Sequence, residues 1–194
     1  MKENGFEYVD LGLESGTMWA TCNVWADKPE DEGLLFQFGC TNGYKYGDKN
    51  NQFINEDLIT TSGKTYKVND ILDLANDAAH VNMGSKWMMP AQTQYLEMFN
   101  NTTRKVETIN GVKGMLFTSK INNKQLFVTF AGYWYNGIFT GAGYNADVWS
   151  SQVHPSRVNF AYGLRCNSSG TAYISNYRRS AAFSVRGVFV NKIY

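Results

Sequence analysis

Residues 8–24 read YVDLGLESGTMWATCNV, and this stretch predicts how the chain begins to fold. Apolar and polar residues alternate over residues 6–13 and 18–24, which is typical of β-strands whose side chains point to two faces in turn. Glu14, Ser15 and Gly16 lie between the two runs and favour a turn. We therefore expect an opening β-hairpin.

The segment after the hairpin combines a loop pattern with helical patterns. Residues 25–67 break into Asp, Gly, Asn and Lys clusters around aromatic islands at 34–36 and 44–46, which predicts a long loop pinned by aromatic side chains. A first helix is expected after an N-cap at Asn69 or Asp70, with a buried stripe made of Ile71, Leu72, Leu74, Ala75, Ala78 and Ala79. A second is expected to start at Met89 and Pro90 and to stop at Asn100, and its apolar residues are Tyr95, Leu96, Met98 and Phe99.

The chain after residue 102 is predicted to be β-structure. Residues 112–119 and 125–130 form one expected hairpin, residues 158–166 and 171–175 form another, and residues 183–190 form a closing strand. Strands, two helices and then more strands give an α+β order without the strand–helix alternation of a parallel sheet. No linker interrupts the pattern, so a single domain over residues 1–194 is expected.

Composition and charge argue against several classes of protein. A hydrophobic fraction of 43% is typical of a folded chain, and a charged fraction of only 18% leaves neutral polar groups as the main source of solubility. Residues 131–194 carry a charge of about +5 and residues 1–130 about −4, because Asp147 is the only acid after residue 130. The arginines are scattered and no nucleic-acid motif accompanies them, so no nucleic-acid partner is expected.

The chain shows no pattern for export, membrane insertion or metal binding. Its N-terminus, MKENG, has no apolar run of the kind found in signal peptides, and nowhere do eighteen apolar residues follow one another. His80 and His154 have no neighbour at metal-ligand spacing, and Cys22, Cys40 and Cys166 do not form a zinc pattern. We therefore expect no signal peptide, no membrane insertion and no metal.

Catalysis is not expected either. The sequence has no nucleophile elbow, no Walker loop and no pair of carboxylates with helical placement. Cys166 is predicted to point inward from a late strand, and a buried thiol without an assisting group is inert. The expected function is therefore binding, without a cofactor.

Four stretches, taken in order, resemble one known family. They are residues 8–24 (YVDLGLESGTMWATCNV), 77–90 (DAAHVNMGSKWMMP), 131–151 (AGYWYNG at its start and GAGYNADVWSS at its end) and 183–188 (FSVRGV). Together they resemble the Fibrobacter succinogenes major paralogous domain, which is abundant in gut Bacteroidetes and their phages. That domain is similar to the C-type-lectin-like fold of formylglycine-generating enzymes and of variable proteins diversified by retroelements. Two motifs depart from the family pattern: MMPA at 88–91 replaces RMPT, which removes the threonine expected to cap the second helix, and VRGV at 185–188 replaces VRPV.

The resemblance implies both a fold and a binding face. The implied fold is C-type-lectin-like, with two helices packed on a mainly antiparallel β core and with paired N- and C-terminal strands. Residues 131–182 are implied to form an exposed, variable ligand-binding face between fixed Gly and Trp-Ser-Ser landmarks. The Tyr, Asn, Ser and Gly of this region are also the composition of antibody paratopes. The Glu-Pro-Asn and Trp-Asn-Asp calcium motifs of sugar-binding C-type lectins are missing, so calcium-dependent sugar binding is not expected.

Side-chain alternation and the resemblance together assign the residues of this face. The residues expected to point outward and contact a ligand are Trp134, Tyr135, Asn136, Ile138, Thr140, Tyr144, Asn145, Asp147, Arg165, Tyr173, Ser175, Asn176, Tyr177 and Ser180. Trp149, Ser150 and Ser151 are expected to be framework, with the indole buried and the hydroxyls bonded to backbone. The tryptophans expected in the core are Trp19, Trp25 and Trp87.

These observations lead to one functional expectation and two alternatives. The expectation is a ligand- or receptor-binding protein, namely a phage tail-fibre tip or a related surface adhesin, located on the virion or at the cell surface. Its partner would be a bacterial surface protein or polysaccharide, and a homotrimeric fibre would raise a weak single-site affinity. The first alternative is a structural or assembly module whose same face docks a neighbouring virion or pilus subunit. The second is a cysteine-dependent, oxidase-like enzyme.

Overall fold

The computed structural model describes residues 1–191, so Lys192 and the two residues after it in the predicted domain lie outside the described residues. The chain is mostly β, with 43% strand and 10% helix. Its early elements are β1 Lys2–Glu3, β2 Phe6–Asp10, β3 Thr17–Asn23, β4 Leu35–Gln37, a 3₁₀ turn Leu74–Asn76, α1 Ala78–Met83 and α2 Gln92–Asn101. The later strands are β5 Thr102–Ile109, β6 Val112–Ser119, β7 Gln125–Thr129, β8 Ala131–Tyr135, β9 Ile138–Ala142, β10 Asn145–Val153, β11 Phe160–Asn167, β12 Ala172–Arg178, β13 Ala182–Ser184 and β14 Arg186–Val190.

Three mainly antiparallel sheets make up the fold. The first has the order β1-β2-β3-β14, and the third has the order β5-β6-β7. The second contains seven strands, in which β12-β11-β10-β13-β8-β9 form the path and β4 pairs with β13. Strand β10 runs parallel to both β13 and β8, and these are its only departures from the antiparallel pattern within residues 1–191. The second sheet therefore brings the hairpins β8–β9 and β11–β12 into one structure.

The opening hairpin and its pairing with the end of the chain are confirmed. Val9 is the register partner of Trp19, and Trp19 is in turn the partner of Val188 in β14. The prediction of one unbroken closing strand is wrong, because residues before and after Val185 pair with different sheets. Val185 lies buried at this break, and its carbonyl accepts a hydrogen bond from the amide of Val24 at 2.9 Å.

Both predicted helices exist, but the first is shorter and starts later than predicted. Asp77, rather than Asn69 or Asp70, caps α1, and its Oδ1 accepts a hydrogen bond from the amide of His80 at 2.9 Å. Ile71 and Leu74, expected on a buried stripe, are exposed. The apolar spacing misled the prediction because residues 70–72 pair instead with β10, where Leu72 N–H donates to the Ser151 carbonyl.

The second helix starts at Gln92, two residues after the predicted proline. The preceding residue, Ala91, has no side chain that can cap the helix. The Gln94 side chain compensates in part, because its Oε1 accepts the Ala91 N–H at 2.9 Å. At the other end, Thr102 Oγ1 donates to the Met98 carbonyl at 2.7 Å, and the chain passes directly into β5, a strand that the sequence analysis missed.

The remaining hairpin predictions are confirmed with small shifts. Strands β6 and β7 reproduce the first predicted hairpin, apart from Phe130. Strands β11 and β12 reproduce the second, although β11 starts at Phe160 rather than residue 158 and β12 runs on to Arg178 rather than residue 175. The long loop over residues 25–67 is also present, interrupted by β4, and its residues Tyr44 and Phe53 make an edge-to-face contact.

The core consists of two large hydrophobic clusters. One contains Trp87 and Met83 of α1 together with Trp149 and Phe183. The other contains Trp19 and buried residues of α2, β6, β7, β10 and β11. The core positions of Trp19 and Trp87 are confirmed, whereas that of Trp25 is wrong.

Trp25 is the most exposed tryptophan of residues 1–191, with 69% of its surface accessible. Its backbone adopts φ = 64°, a left-handed conformation that is rare for large side chains. This conformation turns the chain so that the indole points to solvent, where its Nε1–H donates to Asn82 Oδ1 at 2.7 Å. Hydrophobic composition alone could not reveal a backbone angle of this kind.

Candidate ligand-binding site

A cleft lies between the hairpins β8–β9 and β11–β12. Its volume is about 250 Å³, and its walls include Tyr133, Tyr135, Phe160, Arg165, Asn176 and Tyr177. We refer to it as the Arg165 cleft. Tyr133 and Tyr135 are two residues apart on β8 and point to the same side, and their register partners on β9 are Thr140 and Ile138.

The β8–β9 turn fixes the position of the two tyrosines. Its central residues are Asn136 and Gly137, with φ values of 52° and 82°, the left-handed pair that a tight two-residue hairpin turn requires. Asn136 is exposed and its Oδ1 accepts a hydrogen bond from Asn55 of the long loop at 3.1 Å. The turn is therefore tied to the rest of the fold.

Arg165 is held on three sides. Its guanidinium carbon lies 5.0 Å from the ring centroids of both Tyr133 and Tyr177, which is the range of cation–π contacts. Its Nε lies 2.6 Å from Oδ1 of Asp147, its register partner on β10. Of its side chain 22% remains accessible, and neither Nη atom has a hydrogen-bond partner within residues 1–191. The free edge of the guanidinium is therefore the part available to a ligand.

Asp147 lies beneath Arg165 and is fully buried. Burial raises the pKa of its carboxyl to about 6, although the hydrogen bond from Arg165 acts in the opposite direction. Burial lowers the pKa of Arg165, but the Asp147 carboxylate and the two tyrosines outweigh it, so that the net shift is upward. Oδ2 of Asp147 has no hydrogen-bond partner within residues 1–191. Asp147 thus orients Arg165 and does not itself reach a ligand.

Phe160 forms the opposite wall and carries two further arginines. The guanidinium carbons of Arg157 and Arg178 lie 4.2 and 5.5 Å from its ring centroid. Arg178 also pairs with Asp57 of the long loop at 2.6 Å, whereas no carboxylate of residues 1–191 pairs with Arg157, which donates to Asn176. Three guanidinium groups and two carboxylates thus surround the cleft.

Four large exposed side chains lie on the two hairpins beside the cleft and on the β9–β10 turn. They are Tyr135, Ile138, Tyr144 and Tyr173, with accessibilities of 40%, 64%, 66% and 40%. Tyr173 is the register partner of Arg165, and Tyr144 lies in the β9–β10 turn. The Tyr144 carbonyl accepts a hydrogen bond from Ser168 N–H at 2.8 Å, which joins this turn to the β11–β12 turn. We refer to these four residues as the exposed rim.

The framework role of Trp149, Ser150 and Ser151 is confirmed. The Trp149 indole is fully buried, stacks on Phe183 at 4.2 Å and donates its Nε1–H to the Phe36 carbonyl at 2.8 Å. Ser150 Oγ accepts a hydrogen bond from Gln152 N–H, and Ser151 N–H donates to the Pro90 carbonyl at 2.8 Å. These contacts lock β10 against the long loop and against the start of α2.

The structure places the fourteen predicted face residues unequally. Tyr135, Asn136, Ile138, Thr140, Tyr144 and Tyr173 are exposed, and Asn145, Arg165, Ser175, Asn176 and Tyr177 are half-buried. Trp134, Asp147 and Ser180 are buried, so their assignment to an outward surface is wrong.

Each of the three errors has its own physical reason. Trp134 is next to Tyr135 in a strand, so the two side chains must point to opposite faces, and Trp134 packs on Leu35 instead. The Asp147 carboxylate is covered by Arg165. Ser180 is covered by the long loop, and its Oγ donates to Asp57 Oδ1 at 2.8 Å.

The prediction missed Tyr133, Phe160, Arg157, Arg178 and Phe183 as site residues. A signal for Tyr133 was available, because strict alternation from Tyr135 places it on the same side and Trp134 on the other. Phe160 and Phe183 carried no such signal, since they line one cleft only because the second sheet contains both β11 and β13.

Neither histidine and none of the three cysteines lines the Arg165 cleft. His80 Nδ1 contacts the Trp87 carbonyl at the end of α1, and His154 packs on Tyr162. Within residues 1–191 no group of three or more His, Cys, Asp and Glu side chains is arranged to hold a metal ion.

Cys166 is buried as predicted, and burial raises the pKa of its thiol. Burial also raises the pKa of the Cys40 thiol, to about 11.

No helix in the described part of the chain has the length and the apolar run needed to cross a membrane.

Comparisons of the chain with protein-family models, with curated proteins and with solved structures find no match. A function can therefore be proposed only from the chemistry of the Arg165 cleft and the exposed rim.

Proposed function

We propose that this protein binds a ligand or receptor on a bacterial surface, as the tip of a phage tail fibre or as a surface adhesin. The observation that carries the proposal is the exposed rim, in which three tyrosines and Ile138 stand on strands and turns with buried framework residues. Large aromatic side chains on a rigid support lose little conformational entropy when they bind a partner. The proposal concerns binding and assigns no catalytic step to the chain.

We further infer that the chain has the C-type-lectin-like fold of retroelement-diversified variable proteins. The pairing of β14 with β3 and the placement of the rim within residues 131–182 support this inference. The buried Trp149, Ser150 and Ser151 are in keeping with a fixed framework between exchangeable contact positions. A near-copy of the codons for residues 131–182 beside a reverse-transcriptase gene would test it directly.

The binding proposal is tested by removing the rim without changing the core. The combined variant Tyr135→Ala, Tyr144→Ala and Tyr173→Ala should lose binding of the labelled protein to a panel of bacterial strains. Its melting temperature should remain close to that of the wild type, because truncation of exposed side chains costs little stability. Full retention of cell binding by this variant would show that the rim is not the contact surface.

A matched control removes three exposed apolar side chains elsewhere. Leu58, Val81 and Leu96 have accessibilities of 50%, 52% and 46% and lie in the long loop, α1 and α2. Their combined replacement by alanine should leave cell binding intact. Loss of binding in this control would indicate nonspecific hydrophobic adhesion rather than recognition by the rim.

The alternative of an assembly module is favoured by one feature, the exposure of the aliphatic Ile138 at 64%. An apolar side chain in this position fits a surface that another subunit covers. Light scattering coupled to size-exclusion chromatography distinguishes the two functions. A docking module should form an oligomer that Ile138→Asp dissociates, whereas for a ligand-binding tip the same variant should leave the mass unchanged.

A further inference from the structure

The Arg165 cleft contains an anion-binding edge that the fold itself leaves unused. Oδ1 of Asp147 accepts the Nε–H of Arg165, and the guanidinium carbon lies 5.0 Å from the ring centroids of Tyr133 and Tyr177. Only the two Nη atoms remain, and they form one planar fork of donors. Such a fork matches the two oxygens of a carboxylate, and its fixed orientation lowers the entropy lost on binding.

The charge around the cleft selects a monoanion. Arg157, Arg165 and Arg178 contribute three positive charges, and Asp57 and Asp147 contribute two negative ones. One positive charge is therefore left over. A carboxylate neutralises this positive charge. A phosphate monoester at neutral pH carries between about 1.5 and 2 negative charges, so it would leave uncompensated negative charge in a partly desolvated site.

The walls of the cleft favour a ligand with both an apolar face and hydroxyl groups. Tyr133, Phe160 and Tyr177 offer ring surface, and the Asn176 amide lines the same space. An amide side chain can hydrogen-bond a hydroxyl group, and the rings can pack on an apolar face of the same ligand.

The size of the cleft limits what can enter it. Pockets for drug-sized ligands run from about 300 to 1,000 Å³, and this cleft, at about 250 Å³, lies just below that range. It can take a single ring with its substituents, not an extended chain. A chain that carries such rings would therefore present one residue to the cleft and meet the exposed rim with its neighbours.

We propose that the Arg165 cleft binds the carboxylate-bearing sugar of an acidic surface polysaccharide. The carboxylate lies on the Nη edge of Arg165, and the sugar ring lies between the aromatic walls. This inference rests on the proposed binding function and names the ligand class of the same surface. It requires neither a metal ion nor a covalent step.

The inference is tested by titrating the full chain with small probes. Sodium D-glucuronate should bind, whereas D-glucose and the uncharged methyl ester of glucuronic acid should bind at least tenfold more weakly, because they lack the carboxylate. D-glucose 6-phosphate should also bind more weakly than glucuronate. Tighter binding of the phosphate, or equal binding of glucose, would overturn the inference.

Variants connect the titration to the cleft. Arg165→Gln should weaken glucuronate binding at least tenfold, and the double variant Arg165→Gln with Asp147→Asn should do the same without leaving a buried carboxylate unpaired. The double variant keeps the test valid if the single one unfolds.

Arg104→Gln is the matched control, because Arg104 is an exposed arginine on β5 of a different sheet. It should retain the wild-type affinity, and an equal loss in this control would contradict a site at Arg165.

Two further readouts separate this inference from the proposed function. If the rim variant loses cell binding but no glucuronate binding is detected in the wild type, the ligand class is wrong and the binding function stands. If glucuronate binds at Arg165 but the rim variant keeps cell binding, the cleft is a carboxylate site and the proposed contact surface is wrong.

A comparison of two acidic polymers tests the sugar assignment. Tighter binding of poly-L-glutamate than of oligogalacturonate, at equal carboxylate concentration, would indicate an acidic protein partner and overturn the sugar assignment.

Discussion

Nε of Arg165 lies 2.6 Å from Oδ1 of Asp147, and the two side chains are register partners on neighbouring strands. The arginine reaches solvent while the aspartate is fully buried, so the pair links the inner framework to the surface. A buried carboxylate with a single charged partner is costly to desolvate. In return, the carboxylate fixes the orientation of the guanidinium through its hydrogen bond to Nε.

The first prediction concerns the pH dependence that Asp147 gives to stability. Burial raises its pKa in the folded protein to about 6, above the ordinary value of 3.8. The folded state therefore binds a proton more readily than the unfolded state, and the free energy of unfolding should fall as pH rises from about 4 to 6. A shift of about two pKa units corresponds to about 3 kcal/mol as an upper limit.

The measurement compares the wild type with Asp147→Asn, which keeps an acceptor for Arg165 and cannot ionise. Denaturant unfolding at several pH values gives the difference between the two proteins, in which other titrating groups cancel. That difference should change between pH 4 and 6 and be constant above pH 7. A difference that is flat over the whole range would contradict the pKa assigned to Asp147.

The second prediction contrasts Trp25 with Trp87. Trp25 is 69% exposed with φ = 64°, whereas Trp87 is fully buried. Trp25→Gly removes the left-handed strain, worth about 1 kcal/mol, and should leave the free energy of unfolding unchanged or slightly raised. Trp87→Ala should lower it by about 3–5 kcal/mol through the cavity it leaves. Thermal and denaturant unfolding of both variants measures the two changes in the free energy of unfolding. Equal destabilisation by the two substitutions would show that Trp25 lies in the core.

The third prediction concerns two glycines of the β8–β9 hairpin. A Cβ on Gly132, where φ is 71°, would lie 2.6 Å from the Thr140 carbonyl oxygen, whereas a Cβ on Gly137, where φ is 82°, meets nothing within 4 Å. Gly132→Ala should therefore cost more than about 2 kcal/mol, and Gly137→Ala only the conformational penalty of about 1 kcal/mol. The melting temperatures of the two variants check this prediction, and the Gly132→Ala variant should melt at the lower temperature. The reverse order would contradict the close approach of Gly132 to the Thr140 carbonyl.

The fourth prediction concerns thiol reactivity and bears on the cysteine-enzyme alternative. Burial raises the pKa of Cys22, raises that of Cys40 to about 11, and raises that of the fully buried Cys166 as well. Since the thiolate is the reactive form, a disulfide reagent at pH 7 should react with the native protein far more slowly than with the denatured one. One thiol that reacts in the native state as fast as a free cysteine would revive the enzyme alternative.

Local patterns predicted much of the fold because they record local physics. The opening hairpin, the hairpins β6–β7 and β11–β12, and the existence of two helices followed from alternation, turn residues and apolar spacing. The start of α1 could not be obtained in this way. The pattern at 71–75 looked helical, but the hydrogen bonds of Leu72 and its neighbours go to β10, which is remote in sequence.

Composition alone indicates where the candidate site lies. Tyrosine and serine are concentrated in residues 131–182, and eleven of the fourteen residues assigned there keep at least part of their surface accessible. Alternation along β8 also indicates that Tyr133 lies on the same side of the strand as Tyr135, although the prediction placed Trp134 on that side.

Which of these residues contact one another depends on the three-dimensional arrangement of the strands. Asp147 is buried because the second sheet places it under Arg165, and Ser180 is buried because Asp57 of the long loop covers it. Tyr133 and Tyr177 meet at the Arg165 guanidinium because the second sheet contains both β8 and the hairpin β11–β12. A sequence pattern reports which side of its own strand a residue occupies, but what covers that side depends on contacts between remote segments.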